Sequence, residues 1–102
     1  MSWVRVATAD EVPSGSLLSV QTDQGNVVLA RVDDDIYALE DRCSHQEYPL
    51  SDGLIEHDEV ECPYHGARFD VRTGRAVQLP AITPVRSFEV EVRDGDVYIR
   101  LG

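Results

Sequence analysis

Cys62-Pro63-Tyr64-His65-Gly66-Ala67-Arg68-Phe69-Asp70, continuing to Thr73-Gly74, is the stretch that decides how this chain is read. It answers an earlier triplet, Cys43-Ser44-His45, across the sixteen residues between His45 and Cys62. Each half-motif offers one thiolate and one imidazole. Several uses of such residues compete. A disulfide between Cys43 and Cys62, or two merely buried thiols, would leave two histidines at matching offsets without a role. A zinc site uses the same elements, but zinc modules usually set Cys beside Cys and His beside His.

The interleaved pattern C-x-H…C-x-x-H, followed at once by Gly66, resembles the Rieske iron–sulfur proteins. The resemblance extends to Leu50-Ser51-Asp52-Gly53 after the first half-motif and to Leu79-Pro80-Ala81, where the family carries a proline loop over its cluster. It thus covers residues 43 to 81. It implies a 2Fe–2S cluster, one per chain, with Cys43 and Cys62 on one iron and His45 and His65 on the other. Two neutral imidazoles in place of thiolates make the oxidised centre formally neutral, so an electron is added more easily than to an all-cysteine cluster. Gly66 and Gly53 suit loops that turn sharply around such a group; Gly66, adjacent to His65, is tied to the site, whereas Gly53 taken alone reads better as an ordinary turn residue. Pro63 fixes the backbone just after Cys62.

Departures from the respiratory branch of that family matter as much. The chain has no third cysteine, and Tyr64 stands where that branch carries part of a loop-stapling disulfide. Ala67 and Phe69 replace a serine and a tyrosine whose hydroxyls donate to the cluster sulfurs. Fewer donors destabilise the reduced state, which places the expected potential near the low end for such centres, about −150 mV.

With 102 residues the chain is expected to form one domain, 1–102. Its net charge of −10 argues against nucleic acid. There is no apolar run of membrane-spanning length. Met1-Ser2-Trp3-Val4-Arg5 lacks the regions of a signal peptide, and two cysteines without a disulfide framework fit a reducing interior, so the cytoplasm is expected. The densest acidic stretches are Asp33-Asp34-Asp35 and Asp52, Glu56, Asp58, Glu59 and Glu61; the first reads as a solvated surface, the second also as a docking face.

Strand and turn signals alternate throughout, and no long helical period appears. Expected strands are Trp3 to Val6, a hairpin of Leu17 to Gln21 with Asn26 to Val32, Ile36 to Glu40, and a short one at Ala76-Val77. Phe88, Val90 and Val92 alternate with Glu89, Glu91 and Arg93 in one strand, which Asp94-Gly95 turns into Val97 to Leu101. The reading is all-β: a base closed by the terminal strands, carrying a cluster-binding subdomain at about 41–82. The resemblance implies the same Rieske fold of stacked antiparallel sheets.

His57 lies outside both half-motifs and reads as a surface turn residue, and Trp3 as a half-buried edge-strand aromatic. Tyr48 and Pro49 are candidates for cluster shielding or docking, with Gln46 and Arg68 less so. By resemblance the chain is an electron carrier and not itself an enzyme, because the mononuclear iron of Rieske oxygenases needs a separate large domain. Composition agrees with a soluble carrier, and transient docking favours a monomer. It would take electrons from an NAD(P)H-dependent flavin reductase and pass them to a terminal ring-hydroxylating oxygenase. The small subunit of nitrite reductase-type enzymes is the alternative within the family, and a structural zinc module the alternative outside it.

Overall fold

The computed structural model describes residues 2–42, 48–63, 66–79 and 83–101. Within them the chain runs through β1 (Ser2–Thr8), β2 (Leu17–Thr22), β3 (Gly25–Val32), β4 (Asp35–Glu40), β5 (Leu54–Glu56), β6 (Glu59–Glu61), β7 (Arg68–Asp70), β8 (Ala76–Gln78), β9 (Ser87–Phe88), β10 (Val90–Arg93) and β11 (Asp96–Leu101). Two short 3-10 turns, Ala9–Glu11 and Leu50–Asp52, complete the regular structure among the described residues. The expected all-β class is observed.

The strands form three antiparallel sheets, ordered β1-β11-β10, β2-β3-β4-β9 and β5-β6-β7-β8. The second sheet is the middle layer, and its sequence shows why. Val27, Val28, Leu29 and Ala30 of β3 are all buried, an unbroken apolar run of the kind that fits a strand covered on both faces. Val27 and Leu29 pack with Val97, Ile99 and Leu101 of β11, whereas Val28 and Ala30 pack with Leu50, Val60, Cys62 and Phe69. One core therefore joins the terminal strands to the middle sheet, and the other joins the middle sheet to the β5–β8 layer.

Two-residue turns set the registers. Thr22 pairs with Gly25, Val32 with Asp35, Glu56 with Glu59, and Arg93 with Asp96. The last turn has φ of 51° at Asp94 and 81° at Gly95, the two left-handed positions that a tight hairpin of right-twisted strands requires.

One strand expectation is corrected. The alternation from Phe88 to Val92 is not a single strand: Phe88 pairs with Ala38 of β4, while Val90 pairs with Ile99 of β11. The chain changes sheet at Glu89, whose carbonyl accepts the Arg100 N–H at 3.0 Å. Such a crossing makes a corner between packed sheets, and strict apolar alternation looks the same on either side of it.

Candidate functional site

Cys62 follows β6 directly, and Ala67 precedes β7. Their rung, Cys62 N–H to Ala67 C=O at 2.7 Å, extends the β6–β7 ladder by one step. Cys62 is buried in the core shared with Val60, Ala67 and Phe69. Gly66 then reverses the chain at φ 73°, a conformation open to glycine at no steric cost, and donates its N–H to the Cys62 carbonyl at 3.2 Å. A second-loop hairpin is thus rooted on two strands, with a buried thiol at its base.

The segment after the first half-motif lies against this root. Leu50, wholly buried, shares the core with Cys62 and Ala67. Gly53 has an ordinary negative φ of −88°, so the ordinary-turn reading is corrected for a different reason. A Cβ there would collide with the Glu61 carbonyl oxygen, one residue from Cys62, so glycine is needed for close backbone approach. From the third segment, Gln78 donates its side-chain amide to the Gly66 carbonyl at 3.1 Å. Three segments therefore converge where the sequence expected two half-motifs and a covering loop to meet. Of the four expected ligands, Cys62 is described; Cys43, His45 and His65 lie outside the described residues, as do Gln46, Tyr64, Pro80 and Ala81.

Sequence reasoning missed the residue that closes the first loop. Asp41, 7% exposed, follows β4 and donates its N–H to the Asn26 carbonyl at 3.0 Å. Its carboxylate accepts the Ser51 N–H and the Ser51 hydroxyl, both at 2.8 Å. The entry and exit of the 43–47 stretch are thereby clamped together. No local pattern announces a bond between residues ten apart. Replacing Asp41 by Ala strands two donors and is expected to cost about 1–3 kcal/mol in denaturant unfolding of the metal-free protein.

Arg68, a minor docking candidate from sequence, is instead committed within its own sheet. Its guanidinium meets Glu56 and Glu61 at 2.8 Å and Glu59 at 3.5 Å. The Arg68 hydrogen bond holds the Glu56 carboxyl below its ordinary value, and the same contact raises Arg68. Three of the acids read as a docking face are therefore engaged in this cluster, and Asp58 lies 3.5 Å from Arg72. A carboxylate with a lowered folded pKa stabilises the fold above its unfolded value of 4.5 and ceases to do so as pH falls through the lowered folded value. Thermal melts from about pH 6 to about pH 3 should fall less steeply for Glu56→Gln than for the parent.

Ala67 and Phe69 are fully buried and bring no hydroxyl, as their sequence positions led us to expect. His57 is exposed in the β5–β6 turn at φ 57°, and Trp3 is 40% exposed on the edge strand β1. Large apolar side chains stand open around the loops: Leu79 is 72% exposed, Val77 42% and Tyr48 40%. Among the described residues no helix is long and apolar enough to cross a membrane.

Comparison with known proteins matches residues 2–89 to the family described as Rieske [2Fe-2S] domain. The ferredoxin subunit of 3-phenylpropionate/cinnamic acid dioxygenase from Photorhabdus laumondii is 40% identical over 97% of this chain and 94% of that protein. The ferredoxin of carbazole 1,9a-dioxygenase from Nocardioides aromaticivorans superposes with a TM-score of 0.94 at 36% identity, covering 100% of both chains. A chain from a complex of reduced oxygenase and oxidized ferredoxin in carbazole 1,9a-dioxygenase gives 0.90 at 36% identity, covering 98% of this chain and 97% of that one.

Proposed function

Because the chain belongs to the family of Rieske [2Fe-2S] domains, we propose that Cys43, His45, Cys62 and His65 are the four ligands of its cluster. The donor set suits that group: two soft thiolates and two imidazoles, with the described thiol buried at the root of a glycine-reversed hairpin. When bound, the cluster supplies one-electron chemistry and nothing that would make the chain a catalyst by itself. The polypeptide's contribution is placement. The Asp41–Ser51 clamp and the Gly53–Glu61 contact hold the loop roots together, and Leu50, Val60 and Phe69 keep water from the inner side of the site. The cluster-binding subdomain, about 41–82, is the β5–β8 layer with its loops, set on the rest of a single domain.

The protein is an electron carrier of the kind found as ferredoxin components of dioxygenase systems. In our reading it takes an electron from an NAD(P)H-dependent flavin reductase and delivers it, as a monomer in the cytoplasm, to a terminal ring-hydroxylating oxygenase. The observation that carries this reading is full-length similarity to stand-alone ferredoxins, one of them solved in a complex with its oxygenase. Exposed Leu79 and Tyr48 beside the loops offer the docking contact. Rapid mixing of the reduced protein with an oxidised Rieske oxygenase should bleach the oxygenase centre within a turnover. Failure with every oxygenase tried, alongside ready transfer to a nitrite reductase, would reject the assignment.

A further inference from the structure

The solvent face of the β5–β8 sheet carries Glu56, Glu59, Glu61 and Asp70, and Arg68 is the one cation its four strands possess. Pairing puts Glu56 directly opposite Glu59, a like-charge juxtaposition that by itself opposes strand pairing. Arg68 resolves it. From β7 its fork reaches Glu61 through Nε at 3.0 Å and through a terminal nitrogen at 2.8 Å, and its other terminal nitrogen donates to Glu56 on β5 at 2.8 Å. Its side chain is only 21% exposed, so the guanidinium is held inside the carboxylate ring and not displayed. Glu61 and Arg68 also form the rung next to Cys62–Ala67. The ring therefore sits one residue from Cys62 and three from His65.

We propose that Arg68 is a positioning residue that sets the reduction potential and braces the second loop, acting through its carboxylate ring. This rests on the ligand assignment proposed above. One cation against three contacting carboxylates leaves the ring acidic, and a reduced centre gains negative charge. Every unit of positive charge removed from the ring disfavours reduction; every carboxylate neutralised favours it. Because the ring is partly solvated, added salt should weaken both effects.

The test is a redox titration, followed by electron paramagnetic resonance at low and high salt, of the parent, Arg68→Gln, Arg68→Lys and Glu59→Gln. Arg68→Gln should lower the midpoint potential and Glu59→Gln should raise it, both shifts shrinking in high salt. Arg68→Lys should recover the parent potential but not the full melting temperature, since an ammonium cannot fork between two strands. Should Arg68→Gln not assemble, Glu59→Gln decides alone, because it leaves the Glu56 and Glu61 contacts in place. Potentials that do not move, or that move alike for loss of the cation and loss of the anion, would overturn the proposal. A parent without a Rieske-type signal would instead overturn the ligand assignment beneath it.

Discussion

Cys62→Ser is expected to give a colourless protein without iron or acid-labile sulfide, whose sheets still fold. Serine preserves the size of the side chain, so the packing of Leu50, Val60, Ala67 and Phe69 around position 62 changes little. The backbone rung to Ala67 and the Gly66 N–H bond to the Cys62 carbonyl do not involve sulfur and should persist. What is lost is a soft, readily ionised donor for ferric iron, which a serine hydroxyl replaces poorly. The expected pairing is near-parent circular dichroism in the strand region with complete loss of visible absorption. His65→Cys probes the other side of the assignment. It adds a thiolate charge and should lower the potential or lose the cluster. A cluster retained at an unchanged potential would contradict the role given to His65.

The second large effect concerns delivery. Leu79 is 72% exposed at the end of β8, beside the expected covering loop, and Tyr48 stands 40% exposed after the first half-motif. Meanwhile Glu56, Glu59 and Glu61 are gathered on Arg68, which leaves apolar contact as the better-supported source of docking energy near the site. A minority of interface residues, clustered near the centre of the contact, cost more than about 1 kcal/mol when truncated, and about 1.4 kcal/mol is tenfold in affinity. Leu79→Ser, which removes the apolar contact without adding charge near the cluster, should therefore slow second-order electron delivery to the oxygenase about tenfold, with potential and melting temperature unchanged. Equal slowing of reduction by dithionite would point to a damaged site and not to lost docking.

Much of this molecule was legible because its signals are local. The Asp94-Gly95 hairpin and the Leu17–Val32 hairpin each follow from a few consecutive residues. The half-motifs are local in the same way, and the ligand roles proposed for them rest on residue type and offset. The unread features join positions far apart in sequence. Asp41 looks like one more surface acid until Ser51 is brought beneath it. Gly53 passes for a turn glycine until the Glu61 carbonyl is laid against it. Arg68 and its glutamates read as scattered surface charge until three strands align them. The split at Glu89 is the same lesson in the backbone, since alternation reports which side is buried but not which sheet buries it.

The most direct test of the central claim is an electron paramagnetic resonance spectrum of the dithionite-reduced protein, purified without added metal, together with its iron content. Two irons per chain and a rhombic signal, at lower average g than an all-cysteine 2Fe–2S protein shows, is the predicted result; it requires mixed histidine and cysteine ligation. A colourless, silent sample carrying one zinc per chain, or a signal of the all-cysteine type, would contradict it.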